Sequence, residues 1–403
     1  MGGYAGTRHT RIICYMTRRR GHPRLRALLL AVVMVVVPCG SATAASGDWE
    51  VVRTAHHSPP LAFQAASAVP GTNVVWIAGA AYLTAPVVFE RWSAGRWTAF
   101  RAPTTPSMAI VAGMDAAGPG DLWAVGSSAS ATGPPRPLAE HWNGVRWSVI
   151  PVPSRASGGR LAAVSARARD DVWAVGWAGT ASLIEHWDGR RWRIVPSPSL
   201  PPGARLTGVT IVPRSATVWA VGVRPSRPDG AFATLSERWS GRRWHVVPSP
   251  SYANGASGPA SGLTAVAAVG DSDVWAVGGG STSAGDRLLV EHWDGDHWAM
   301  LPRQPAAAFA ADIARVPGTR TLWAVGSRAS GAETTDTFSE RIRPGGWSIK
   351  ASPSPDQGCE HTNQFMAVAA SANGTVWAAG YHSHLTSGCG DAVTGPLVAR
   401  HPA

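Results

Sequence analysis

Lysine is almost missing from this chain: of 36 basic residues only Lys350 is a lysine. Tyrosine (5), phenylalanine (7) and cysteine (4) are scarce as well. With abundant Ala, Gly, Pro and Val, the all-arginine basicity reads as a high-GC coding bias and not as a demand for guanidinium chemistry. Seven of the arginines (Arg8, Arg11, Arg18, Arg19, Arg20, Arg24, Arg26) fall within residues 1–44, which hold no acid, and setting them aside takes the formal net charge from +11 to +4. That is too small for a nucleic-acid footprint, and no basic run alternates with stacking aromatics, so no nucleic-acid partner is expected. No apolar run is long enough to cross a bilayer comfortably; the longest, ALLLAVVMVVV at 27–37, falls short of a span.

That run has the form of a secretory leader. Arg18 to Arg26 make a positive n-region, residues 27–37 the apolar h-region, and Ala42-Thr43-Ala44 an A-x-A cleavage signal. Residues 1–44 are therefore read as a signal peptide, with Met16 an alternative start, and residues 45–403 as the mature, secreted domain. Cys14 and Cys39 leave with the leader. Cys359 and Cys389 remain as an even pair in an oxidising compartment, which makes a disulfide the default expectation.

What the chain has in excess is tryptophan, 20 of them, and they recur on three landmarks. The first is VWAVG or a close variant around Trp76, Trp123, Trp173, Trp219, Trp275, Trp323 and Trp377, spaced 47, 50, 46, 56, 48 and 54 residues apart. The second is an E-[HR]-W segment at Trp92, Trp142, Trp187, Trp239 and Trp293, which decays to Ile342 and His401 in the last two copies. The third is a Trp seven residues beyond the Glu of the second: Trp97, Trp147, Trp192, Trp244, Trp298 and Trp347. A period near 50 residues marks a repeat architecture.

Each repeat reads as four short strands. Strand A is an apolar run such as RLAAVSA, strand B is VWAVG, strand C carries L-x-E-H-W, and strand D is R-W-x-x-V-P; these runs are β-branched and aromatic, and turn residues bound them. Asp-Gly in WDGRRW signals a short C–D hairpin, and Pro-Ser-Pro ends strand D. The expectation is an all-β, seven-bladed β-propeller with four antiparallel strands per blade. The last copy stops after strand C, and GDWEVVR (47–53) looks like an orphan strand D. It is expected to complete blade 7 from the other end of the chain and remove an open edge.

Candidate sites follow from that topology. The B–C and D–A loops share one face. Measured from the VWAVG glycine to the Glu position, the B–C link ranges from 9 to 19 residues, whereas the C–D link does not vary in repeats 1 to 6. Variable loops on a rigid scaffold are where binding usually resides. On that face Trp177 could stack on a sugar, and repeat 7 gathers Tyr381, His382 and His384. Loop proximity adds His361, His56 and His57, so that His56, His57, His361, His382 and His384 could ligate a divalent metal such as Zn, Cu or Ni, with Glu360 or Asp391 as carboxylate partners. The recurrent Glu90, Glu140, Glu185, Glu237, Glu291 and Glu340 are expected to do a structural job, paired with a neighbouring backbone or Arg, because catalysis needs one asymmetric constellation.

The DVWAVG…EHWDG…RW…VPSP pattern resembles secreted bacterial β-propeller repeat proteins near the Kelch and galactose-oxidase-like propellers. The resemblance implies the propeller fold over residues 47–403. Galactose-oxidase-like chemistry would imply tyrosine and histidines on copper, for which Tyr381, His382 and His384 are the matching residues. WDGRRW and WDGDHW also resemble the sialidase Asp-box hairpin. The functional expectation is a secreted, monomeric, non-catalytic binding propeller for a carbohydrate, cell-wall or protein ligand, requiring no cofactor. The alternative is an extracellular glycan-directed hydrolase, lyase or copper oxidase centred on the channel mouth or the repeat-7 histidines.

Overall fold

The computed structural model describes residues 48–403 except 57–60, 81–86, 104–107, 130–132, 156, 227–230, 253–260, 283–284, 303–306, 357–359 and 386–391. The proposed leader, His57, Cys359, Cys389 and Asp391 therefore lie outside the described residues. Those described are strands and connections, and no helix among them is long and apolar enough to cross a membrane.

The repeats fold into antiparallel quartets in the order A-B-C-D, seen most simply in repeat 3: Arg160–Ala168, Asp171–Ala178, Ala181–Trp187 and Trp192–Ile194. Repeats 1 to 5 each form a separate four-stranded sheet. Repeats 6 and 7 are joined into one eight-stranded sheet by a short parallel pairing, Thr334 with His361 and Thr335 with Thr362. Strand B is buried along its VWAV run in every repeat, Trp275 of repeat 5 apart, because sheets cover it on both faces; a continuous apolar run instead of an alternating one is the sequence mark of such a strand.

The glycine ending VWAVG has a steric cause. Strand A bulges opposite it in every repeat, for instance between Leu161 and Ala163 and between Leu206 and Gly208. The bulge pushes a strand-A carbonyl into the space a side chain would occupy. A Cβ on Gly79, Gly126, Gly176, Gly222, Gly278, Gly326 or Gly380 would come within 1.8–2.1 Å of that oxygen.

Strand A of every repeat lines one axial cavity of about 700 Å³, walled by segments such as Gln64–Ala68, Ala112–Ala116, Thr264–Ala268 and Met366–Ala370. Crowding around the axis accounts for the alanine and glycine content of these strands.

Neighbouring sheets are held by ring packing. The strand-B Trp of one repeat enters a slot between the strand-C and strand-D rings of the next. Trp76 meets Trp142 and Trp147 at 5.0 and 5.6 Å, Trp123 meets Trp187 and Trp192 at 5.0 and 5.2 Å, and Trp219 meets Trp293 and Trp298 at 4.8 and 5.2 Å between centroids. The strand-D partner is always edge-on, as favoured by the ring quadrupole.

The two ends of the domain meet as expected. Glu50 and Val51 pair antiparallel with Arg400 and Ala399, Val52 N donates to Val398 O at 2.8 Å, and Arg400 Nη2 lies 2.7 Å from Glu50 Oε2. Trp49 takes the strand-D place of repeat 7: it is 3% exposed and stands edge-on to Trp323 at 5.5 Å. Repeat 7 in turn docks on repeat 1, with Trp377 against Trp92 and Trp97 at 4.7 and 5.4 Å. Across the turns Ala372 N donates to Thr72 O and Asn373 N to Asn73 Oδ1.

Removing the Trp49 ring leaves a void between the last two repeats. Trp49→Ala is expected to lower unfolding free energy by about 3–5 kcal/mol, read as a shift of the denaturant midpoint with the slope retained.

Candidate functional site

The two faces of the ring are built differently. On one, the A–B and C–D turns are knitted together: Trp187 Nε1 donates to Arg169 O at 2.9 Å and Trp293 Nε1 to Asp271 O at 3.1 Å. The C–D hairpins are uniform in length, and those of repeats 2, 3 and 5 close on their own side chain. Asp188 Oδ1 accepts from the Arg190 and Arg191 amides, Asn143 Oδ1 from Val145 and Arg146, and Asp294 Oδ1 from Asp296 and His297. The other face carries the B–C and D–A loops, which touch one another through bonds such as Gly159 N to Pro135 O at 2.8 Å and Gly203 N to Thr180 O at 2.6 Å.

On the loop face, repeat 7 assembles a compact cluster. His382 and His384 alternate along one strand (Val376–Leu385) and so point to the same side. His382 Nδ1 is 2.8 Å and His384 Nδ1 3.1 Å from the same oxygen, Asp356 Oδ2. The three ligating atoms lie within 4.8 Å of one another. Asp356 is fixed by Asn363, which has no exposed surface: the Asp356 amide donates to Asn363 Oδ1 at 3.2 Å, and Asn363 Nδ2 donates back to Asp356 O at 2.9 Å.

The other expected ligands are placed differently. His361 is the cross-strand partner of His384, but its Nε2 is paired with Asp336 Oδ1 at 3.2 Å. His56 turns to repeat 1, where its amide and ring nitrogen reach Glu90 Oε1 at 2.7 and 3.1 Å. Glu360 is exposed and stands outside the cluster. The carboxylate in place is Asp356, which the sequence reading passed over; its signal is an acid directly following a Pro-Ser-Pro run, found in no other D–A loop.

Trp177 is half-buried, with the Arg205 guanidinium 5.3 Å from its ring centroid. Tyr381 donates its hydroxyl to Gln364 Oε1 at 3.2 Å.

The repeated polar residues are structural, in two patterns. Where strand B opens with Asp, strand C has His: Asp121 with His141, Asp171 with His186 and Asp273 with His292, at 2.8, 2.9 and 3.0 Å. Where strand B opens with Val or Thr, strand C has Arg lying over the Trp, as Arg91 on Trp76, Arg238 on Trp219, Arg341 on Trp323 and Arg400 on Trp377. Either way a polar side chain caps the edge of the indole slot.

The recurrent glutamates are buried to 1% exposure or less. Glu90 accepts from the Ala55 and His56 amides and Glu237 from Ser197. Loss of water pushes Glu140, Glu237 and Glu340 up to about 7 and Glu185 to about 8, and raises Glu291 well above the usual carboxylate range. At the axis, burial raises Asp115 and Asp312 to about 6 although each accepts two amides, one from the next repeat: Ala166 for Asp115 and Val368 for Asp312.

No family model matches the chain, and no curated protein matches it. Solved structures do. YCF48 bound to a D1 peptide aligns at 12% identity over 89% of this chain and 98% of its own, with a TM-score of 0.50. YCF48 from Cyanidioschyzon merolae aligns at 13% over 88% and 98%, also at 0.50. The chain has the β-propeller fold. The SapL1 lectin in complex with α-methyl fucoside is more distant, at 14% identity, 73% and 97% coverage and a TM-score of 0.46. At such identities the propeller likeness is one of architecture alone.

Because the glutamate pKa values are raised on folding, the stability this gives is full below about pH 4.5, the unfolded value, and is lost as pH climbs through about 7–8. Glu185→Gln is therefore expected to stabilise the propeller at pH 8 by roughly 2 kcal/mol, with little gain at pH 4. Melting curves of both proteins at the two pH values check this.

Proposed function

We propose that the chain is a secreted, monomeric, seven-bladed β-propeller that binds without catalysing, presenting a carbohydrate, cell-wall or protein ligand with the face that carries the B–C and D–A loops. The seven-blade count is supported by seven VWAVG landmarks and by an axial cavity walled by strand A of every repeat. The observation that carries the binding reading is the contrast between faces. Hairpins of one length make up one, while on the other the separation from the VWAVG glycine to the Glu position ranges from 9 to 19 residues and the His382, His384 and Asp356 cluster sits there. The acids that could have served an axial active site, Asp115 and Asp312, are spent on backbone amides of the next repeat, which favours binding over chemistry. The YCF48 structure with a D1 peptide is an instance of this architecture taking a peptide.

A second reading is favoured by the cluster itself. Two imidazoles and a carboxylate suit Zn, Cu or Ni. Ligands about 2.1 Å from one tetrahedral ion stand roughly 3.4 Å apart, so the cluster, closed at 2.8 and 3.1 Å by direct imidazole–carboxylate contacts, would open by a few tenths of an ångström to take one. An ion held there would hold a ligand hydroxyl or a water at the rim, the starting point for the enzymatic alternative.

Metal analysis of the purified chain, with parallel glycan-array and peptide-array binding, separates the readings. Binding to an array ligand without stoichiometric metal, weakened by exchanges in the repeat-7 B–C loop, is the expected result. Stoichiometric metal lost in a His382→Ala/His384→Ala variant, with turnover of a bound glycan, would replace it by the catalytic reading.

A further inference from the structure

The tryptophan slots repeat so regularly that their one exception carries information. At every other junction the strand-B Trp has two ring partners in the next repeat, the strand-C ring at 4.7–5.1 Å and the strand-D ring at 5.2–5.6 Å. Between repeats 5 and 6 the strand-C ring is replaced by Ile342, and Trp275 has no ring contact with repeat 6 among the described residues; its ring neighbour is His292 of its own sheet, at 4.3 Å. The other strand-B tryptophans are 0–4% exposed and the other strand-D ones 2–8%. Trp275 and Trp347 alone in their columns are only half-buried. Where the missing indole would sit, a groove of about 450 Å³ opens, lined by both of these rings and by Asp273, His292, Arg320 and Arg343.

The polar lining is organised. Asp273 is saturated: its Oδ1 accepts Trp275 Nε1 at 2.8 Å and faces His292 Nε2 at 3.0 Å, and its Oδ2 accepts Arg320 Nε and Nη2 at 3.0 and 2.7 Å. These contacts hold the Asp273 carboxyl below its usual range, outweighing its burial. Arg320, 64% exposed in its side chain, reaches across from the A–B turn of repeat 6 and keeps its Nη1 donors outside that ion pair. Arg343 is exposed at the groove's edge. Two guanidiniums against one carboxylate leave the groove net positive.

We infer that this groove, on the face opposite the variable loops, is a binding site for a pyranose bearing a carboxylate, the uronic-acid class. Indole surface suits the apolar C–H face of a sugar ring. Arg320 and Arg343 supply fork-shaped donors for a carboxylate and the ring hydroxyls. The volume admits one or two sugar units. The site is independent of the reading given to the loop face, since it shares no residue with it.

The full mature chain is titrated with methyl β-glucuronide and, in parallel, with methyl β-glucoside and with hippurate, an aromatic carboxylate, following tryptophan fluorescence and binding heat. Expected is saturable binding of the glucuronide, at least about tenfold tighter than the glucoside, with Arg343→Gln removing that preference. Ile342→Trp, which restores the repeat's own residue and fills the groove, is expected to abolish glucuronide binding while raising the melting temperature; because it is a consensus-restoring change, loss of binding there is not loss of fold. No saturable glucuronide binding by the wild type, equal binding by Ile342→Trp, equal affinity for the neutral glucoside, or binding of hippurate in place of the glucuronide would each overturn the inference.

Discussion

One interaction underlies the rest of this molecule: at every junction but that between repeats 5 and 6, a strand-B indole lodged between two rings of the next repeat. A four-stranded antiparallel sheet of this length cannot bury either face by itself. Stacking solves that only if each sheet presents a flat, apolar face of matching shape, and tryptophan supplies the most area per side chain, about 2 kcal/mol or more when covered. The continuous VWAV run, the alanine-rich inner strands and the polar caps over the indole edge are all adaptations to the same slot.

The slot also explains which residues can vary. Asp opposite His, or Val or Thr opposite Arg, are two solutions to one problem, since each sets a cationic or hydrogen-bonding group over the exposed edge of the strand-B ring. The glycine after the indole cannot vary, because the strand-A bulge has already used its space. Burying a glutamate in every sheet costs stability near neutral pH, and only some copies recover it through loop amides or a serine, as Glu90 and Glu237 do.

Much of this was legible beforehand. Periodicity located the strands, Asp-Gly located the hairpins, and the strand-like GDWEVVR paired with residues 398–400 as read. What was not legible depended on side-chain direction. Five histidines could be assigned to neighbouring loops, but only a strand's alternation puts His382 and His384 on one side, and only the dip of a loop carries His56 away to Glu90. Asp356 was missed because its role is created by the buried amide of Asn363, distant from any motif. Likewise Ile342 read as simple decay of the second landmark, whereas the geometry turns that single lost ring into a cavity.

The latch between Trp49 and the final strand has a kinetic meaning. Residues about 350 positions apart must meet before the ring is sealed, so the circle cannot lock until the segment around Arg400 is available to pair with Glu50. Until then the last sheet keeps a raw edge and an empty indole slot beside Trp323, and any shortened product would retain both. Circularity thus works as a check on the propeller itself: only a chain that carries both partner segments can hide the last sheet's sticky edge.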